Sequence, residues 1–561
     1  MRPDINKMTL REKIGQTAIP APPTLTNGMK KYGSYAKYFK DYPYSGIFIE
    51  YFYKEIDANS SSDSEKNNEA FTGESVELQR LSLTHDFAEF VPKFQKELDI
   101  PAFVCCDAEF GIKGEIFEDG HLIPTQIAVA AAADENLAYR RGYYWGREMR
   151  SIGMNWVFGP IGDLSASFFA THAPRSFSDD PQLTARMLTA TLNGLHDAGM
   201  VDCTKHYPGT GHEFRDSHFS FCCINDTLEE WSDGQKQVWK AAVDAGAKTF
   251  MTAHLPLPCI DPTPVKGRFL RPGSASQKVL DVLRDDLGHD GVIISDAVSM
   301  KSLAATFEHE EVLIECFNAG NDMILFCHDD YFDIMERAIH DGRVSMERLD
   351  EAVNRILRLK EEMGLFDGNY ISAPLTAEEL ADFEKINFES AAKSLTLVNN
   401  ENNMIPFDPQ KVHRAAIIAI TEYAPFVGYL DEIVKTFEGY GIEATVYDGL
   451  TSKSHLTKLC DENDIIIYAC YLNQGRPLGF PGFSSGKAMN TLFNACSCGN
   501  EKSVAVSFGS TSIYYNYFEY VDAYVDAYSD TPETMHAFVK ALLGEIPFPG
   551  KPPMSHKPKL V

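Results

Sequence analysis

Eight short apolar runs alternate with helical patterns through the first 360 or so residues, and that rhythm leaves few folds open. The runs are QTAIP (16–20), SGIFIEY (45–51), PAFVCCD (101–107), NWVFGP (155–160), VDCTKH (201–206), KTFMTAH (248–254), GVIISD (291–296) and DMILF (322–326). Near-continuous hydrophobicity in such short runs fits strands covered on both faces, the condition of a parallel sheet. Amphipathic stretches such as ENLAYRRGYYWGREMRSIG and SASQKVLDVLRDDLG separate most of them. Eight β/α units predict an α/β fold with an N-terminal (β/α)8 TIM-type barrel over residues 1–365. The polar segment 57–75, rich in Ser, Asp and Asn, is expected to be an inserted surface loop.

Beyond the helical pattern MERLDEAVNRILRLKEEMGLF the chain changes character. A connector over 366–388, opening DGNYISAPLTAEEL, carries turn and helix-start signals. AAIIAI (415–420), ATVYDG (444–449), DIIIYACY (464–471), SVAVSFG (503–509) and AYVDAYS (523–529) then alternate with helical segments. They predict a smaller αβα sandwich domain over 389–561, built on an open, mostly parallel sheet. The closing KPPMSHKPKLV reads as an extended tail.

Charge and cysteine usage narrow the partners. A formal charge of −29 argues against nucleic acid and against anionic membrane surfaces, which both require a basic patch. The 12 cysteines are scattered, several inside apolar runs (Cys105, Cys106, Cys316, Cys470), as reduced buried thiols would be. MRPDINKMTLREKIGQ lacks the apolar core of a signal peptide, and no apolar run is long enough to span a bilayer. The expectation is a soluble cytoplasmic chain.

Barrel active sites lie at the carboxyl ends of the strands. At or just past those ends stand Asp107, Asp163, Lys205 with His206, His254 and Asp296. A polar residue at one strand end reads as a cap; at five strand ends together these residues read as one polar pocket, with His254 among the expected substrate-binding residues. Asp296, at the end of GVIISD, suits a nucleophile with a fixed trajectory, or equally an N-cap for the following helix. A lysine at the inner end of a strand, Lys205, requires a carboxylate or an anionic or hydroxylated ligand. Lys205 opens the densest polar run in the chain, KHYPGTGHEFRDSH. In an extended loop Asp216 and His218 would project to one side, so that the carboxylate orients the imidazole as a general acid. The Pro/Gly turn before them would let that pair swing. Arg175, in APRSFSDDP, lies close to acids, either as a ligand of the pocket or as a surface ion pair. Cys203, Cys222 and Cys223 with His206 and His212 raise zinc, but no CxxC pair supports it. With no Gly-rich phosphate loop either, neither metal nor cofactor is expected.

These residues resemble glycoside hydrolase family 3, and within it the bacterial β-N-acetylglucosaminidases. The family's K-H-F/Y-P-G-x-G, four variable residues, then D-S-H is matched by Lys205 through His218, and its nucleophile segment by SDAVSMKSL at Asp296. MTLREKIGQ, MNWVFGPIGDL, RSFSDDP, KTFMTAH, SLTLVNNENNMIPF and GEIPFPGKPP extend the likeness over nearly the whole chain. The resemblance implies Asp296 as nucleophile, His218 as acid/base with Asp216 as its partner, and Asp107, Arg175, Lys205 and His206 as sugar ligands. DAEFG at 107–111 stands where D-Q-E-G-G is usual, and Thr210 replaces a common histidine, so Phe110 and Thr210 could reshape the pocket. The expected partner is a small glycoside. Hydrolysis of terminal β-linked N-acetylglucosamine is the leading reading. Phosphorolysis stays open because the basic form of histidine is neutral and does not repel phosphate. So does β-glucosidase or β-xylosidase activity, and so does silent sugar binding.

Overall fold

The computed structural model describes residues 1–49, 83–113, 116–165, 173–472, 482–483 and 486–554. The insertion expected at 57–75 and the end of the expected tail lie outside them. Every one of the eight apolar runs contains a strand. They are β1 (Ala18–Pro20), β2 (Gly46–Phe48), β3 (Phe103–Cys106), β4 (Trp156–Val157), β5 and β6 (Val201–Asp202 and Thr204–Tyr207, both from VDCTKH), β7 (Thr249–Thr252), and, after a short hairpin of β8 (Pro264–Val265) and β9 (Phe269–Leu270), β10 (Val292–Ala297) and β11 (Met323–Cys327). Four form a parallel sheet in the order β2-β3-β4-β5, and five form another in the order β1-β11-β10-β7-β6. The two sheets meet at both edges. On one side the Ser45 N–H donates to the Ala18 carbonyl at 3.0 Å. On the other, Cys203 and Lys205 donate to the carbonyls of Gly159 and Pro160 at 2.9 and 3.2 Å.

Side chains from both sheets share one apolar cluster that includes Ile19, Phe48, Cys105, Phe158, Cys203, Met251, Ile294 and Leu325. Because strand side chains alternate, the residue two positions after a cluster member points the same way, one layer nearer the carboxyl end. Asp107 follows Cys105 in this manner, Lys205 follows Cys203, and Asp296 follows Ile294. The polar residues thus form the layer directly above the apolar one.

Helices cover the strands. Asp134 caps Glu135–Ser151 and Asp180 caps Pro181–Asp197, each carboxylate accepting two backbone N–H groups. These two helices approach closely because both carry glycine at the crossing: a Cβ at Gly142 would lie 2.3 Å from the Thr191 carbonyl oxygen, and one at Gly194 2.0 Å from that of Tyr139. Within the stretch expected as connector, an 18-residue helix begins, Ala377–Ser394, with a Thr376–Glu379 capping box. It binds the first half of the chain through Arg140–Asp382, Arg147–Glu379 and Asn387 to the Leu122 carbonyl.

The second domain holds a six-stranded sheet in the order β12-β17-β16-β15-β13-β14, with β12 (Thr396–Asn400), β13 (Arg414–Thr421), β14 (Glu443–Tyr447), β15 (Ile465–Tyr471), β16 (Ser503–Ser507) and β17 (Ala523–Asp526). Five strands run parallel; β12 pairs antiparallel with β17 at the edge. Sequence reading missed β12 as a strand because TLVNN is largely half-buried and half polar, without the apolar continuity of a covered strand. The molecule is thus an α/β protein of two domains. Tyr528 joins them: its carbonyl accepts from Thr125 Oγ1 at 2.9 Å, and its ring packs with Ile127, Ala128 and Met554. No helix among the described residues is long and apolar enough to cross a membrane.

Candidate active site

At the end of β3 the chain turns through Ala108, whose φ of 46° is left-handed. That turn lets Asp107 and Glu109 reach the same ammonium. Lys205 Nζ lies 2.5 Å from Asp107 Oδ1 and 2.9 Å from Glu109 Oε1. Glu109 also takes two bonds from Arg175, Nε to Oε2 at 2.8 Å and Nη2 to Oε1 at 2.5 Å. Arg175 is therefore no surface ion pair; its side chain is 18% exposed against 12% for Glu109. Burial opposes ionisation of Glu109, but Arg175 and Lys205 overcome it and hold the carboxyl far below the usual range. Glu109 was not singled out from sequence. The only signal was its place two residues beyond Asp107, in a run otherwise read as a departure from the family pattern.

Next to Lys205 on β6, His206 donates its backbone N–H (3.1 Å) and directs Nδ1 (2.7 Å) to Asp163 Oδ2. Asp163 Oδ1 is buried with no partner among the described residues, and so is Thr210 Oγ1 in the following turn. The turn itself is clamped at one point. The Pro208 carbonyl accepts from the indole N–H groups of both Trp231 and Trp239, each at 3.0 Å.

Asp216 and His218 do come together, though not through an extended loop. Asp216 Oδ1 accepts the backbone N–H of His218 at 2.9 Å and lies 2.7 Å from its Nδ1. The N–H groups of Phe219 and Ser220 then return to the Asp216 carbonyl, so the chain curls rather than runs straight. A carboxylate only accepts here, which places the imidazole proton on Nδ1 and leaves Nε2 to exchange protons with a substrate. Asp216 is 3% exposed and His218 40%. The loop does not hang free. The backbone N–H groups of Lys301 and Ser302, which open a short helix after Asp296, point to the carbonyls of His218 and Ser217, both at 3.4 Å.

Asp296 ends the β10 layer, and its Oδ1 accepts the Ala297 N–H at 2.7 Å. It does not cap the short helix Lys301–Ala304, whose N-cap is Met300. Burial pushes its carboxyl up, but the imidazoles of His206, His254 and His218 with that N–H push harder, and it sits below its ordinary value. His254 is fully buried, and both ring nitrogens are engaged within the protein: Nε2 donates to the Ala297 carbonyl at 3.0 Å, which leaves Nδ1 to accept from Ser274 Oγ at 2.8 Å. Burial lowers its pKa, against the pull of Asp296. Its contacts fit a residue that holds the Asp296 segment in place, whereas the sequence pointed to a sugar ligand.

The arrangement is a half-buried carboxylate and a carboxylate-oriented histidine, with a lysine, an arginine and acids suited to hydroxyl groups at the ends of neighbouring strands. Among the described residues no cluster of three or more His, Cys, Asp or Glu side chains is set to hold a metal ion.

Comparison with known proteins points the same way. Residues 71–359 match the family model described as "Glycosyl hydrolase family 3 N terminal domain". A "Beta-N-acetylglucosaminidase/beta-glucosidase" of Cellulomonas fimi is 28% identical over 506 residues, covering 85% of this chain and 87% of that protein. A "Beta-hexosaminidase" of Xanthomonas campestris pv. campestris (strain B100) is 33% identical over 238 residues, 41% of this chain and 68% of its own length. Among solved structures, a glycoside hydrolase family 3 beta-N-acetylglucosaminidase from Paenibacillus sp. str. FPU-7 superposes with a TM-score of 0.80 at 21% identity, over 99% of this chain and all of that one. "Beta-glucoside phosphorylase BglX bound to 2FGlc" also gives 0.80, at 23% identity over 98% of this chain and 95% of that one.

Proposed function

The chain belongs to glycoside hydrolase family 3, and from that premise we propose that it is a retaining, exo-acting β-N-acetylglucosaminidase acting on small soluble glycans or muropeptides. The observation that carries this reading is the His218–Asp216 pair, which lies against the segment following Asp296 and helps to lower the Asp296 carboxyl's pKa. In this mechanism Asp296 attacks the anomeric carbon while His218 gives its Nε2 proton to the departing oxygen, forming a covalent glycosyl-enzyme. His218, now neutral, takes a proton from water as the water attacks, and the configuration is retained. Lys205, Arg175, Asp107 and His206 hold the sugar hydroxyls. In the same reading the two N-terminal sheets are one closed (β/α)8 barrel over 1–365, joined through 366–388 to an αβα sandwich over 389–561.

A second reading has a specific observation in its favour. A base that is neutral when deprotonated leaves an anionic acceptor unopposed, and the fold is shared with a protein named a β-glucoside phosphorylase. One experiment tests both: a panel of aryl β-glycosides, run with and without phosphate. Fastest cleavage of the N-acetylglucosaminide to free sugar supports the hydrolase. Sugar 1-phosphate formed only with phosphate makes it a phosphorylase, and preference for the glucoside or xyloside moves the specificity.

A further inference from the structure

We propose that Phe326 is a specificity-determining residue of the sugar pocket, its ring forming the apolar wall against which the C–H face of the pyranose sits beside Asp296. The inference rests on the proposed function and deepens it. Along β11, Met323 and Leu325 belong to the interior apolar cluster, while Ile324 and Cys327 belong to the outer cluster under the helices. Strict alternation would send residue 326 outward. Phe326 instead packs on the interior cluster, its ring 5.1 Å from that of Phe48 at 80°, and Phe48 stacks on Phe158 at 5.6 Å.

The backbone shows how. Ile19 pairs with Leu325 and Pro20 with Cys327, so Phe326 is an extra residue opposite nothing on β1. It is a bulge, and its φ is 65°. Left-handed backbone is uncommon for a bulky residue and strained, and bulges recur beside active sites, where they re-aim one side chain. Full burial does not account for this strain, because Phe326 is only half-buried, against the edge of the interior cluster. The exposed part tops the apolar layer. On neighbouring β10, Ala297 pairs with Leu325, which sets Phe326 next to the end of the strand that carries Asp296. An aromatic surface at that level, among charged hydroxyl ligands, is the apolar component a pyranose pocket needs.

Phe326→Asn tests this, because asparagine accepts left-handed backbone and removes the ring. Titration with free N-acetylglucosamine, glucose and xylose gives Kd; the aryl glycoside panel gives KM and kcat; melting gives the midpoint. The expected result is Kd and KM raised about tenfold or more, with a melting midpoint no lower than wild type. A lowered midpoint with Kd within about twofold of wild type makes the ring a packing element and overturns the proposal. Should the Asn chain not fold, Phe326→Leu carries the comparison, with Kd still expected to rise by about threefold or more. A wild-type chain that binds and cleaves none of the sugars overturns the proposed function and Phe326's role together. Wild-type turnover with an unaffected variant overturns the role of Phe326 alone.

Discussion

Replacing Glu109 by Gln keeps the shape of the side chain and removes the charge that two cations share. In the native chain Glu109 accepts from Arg175 at 2.5 and 2.8 Å and from Lys205 at 2.9 Å, and the Lys205 side chain is only 2% exposed. Without it, the buried Lys205 ammonium keeps only the half-exposed Asp107, at 2.5 Å, as a carboxylate partner among the described residues. Breaking one partner out of a buried ion pair costs about 3–5 kcal/mol, because the remaining charge stays desolvated. For a domain of about 350 residues the unfolding entropy is roughly 0.7 kcal/mol/K, so the melting midpoint should fall by about 4–7 °C at pH 7. The pH dependence has a definite sign. Glu109's carboxyl is depressed in the folded state, so its contribution is complete above the unfolded value of about 4.3 and declines by about 1.4 kcal/mol for each pH unit below it. Calorimetry of wild type and Glu109→Gln between pH 3 and pH 7 reads both effects. A drop of less than about 2 °C at neutral pH, or a gap between the two proteins that does not narrow in acid, refutes the reasoning.

Asp296→Asn should abolish turnover and leave no covalent adduct with a fluorinated glycoside, checked by intact mass. His218→Ala should slow cleavage of alkyl glycosides by about 10²–10⁴-fold and lose much less on activated aryl glycosides, whose leaving groups need no proton; equal losses on both remove His218 from the acid role. His289, buried against Phe250 at 4.7 Å, has its pKa pushed down to about 4 by burial and then by Arg284. The unfolded chain binds that proton first, so stability falls as pH drops from about 6.5 towards 4, and His289→Phe should flatten that decline in melting experiments.

Much of the strand framework was legible because each interior strand is apolar on both faces, and the polar residues that end those strands stand out against the runs before them. Asp107, Lys205, His206 and Asp296 were visible for that reason, and the structure gathers them. Glu109 was not, because its significance lies in the left-handed Ala108, which no local pattern announces. His254 was seen too, though a histidine at a strand end looks alike in sequence whether it faces substrate or, as here, bonds backbone and Ser274. The curl at Asp216 depends on a side chain closing onto its own backbone, and the bulge at Phe326 depends on the register of a strand 300 residues earlier. Registers are tertiary facts, invisible to hydrophobic periodicity.

The backbone contacts from Lys301 and Ser302 to the 217–218 carbonyls have a consequence for how this protein can change. His218, the proposed proton donor, sits on a long excursion from one strand and Asp296, the proposed nucleophile, near the tip of another, yet both adjoin the short helical segment that begins at Lys301. On the proposed roles, a displacement of that segment moves His218 and Asp296 as a pair. The rest of the excursion, including exposed Phe214 and Phe219, can therefore be remodelled towards new leaving groups without resetting the chemistry. By the same geometry, an insertion between Ala297 and Lys301 would separate the two, and no compensating change within the 205–218 loop alone could restore them.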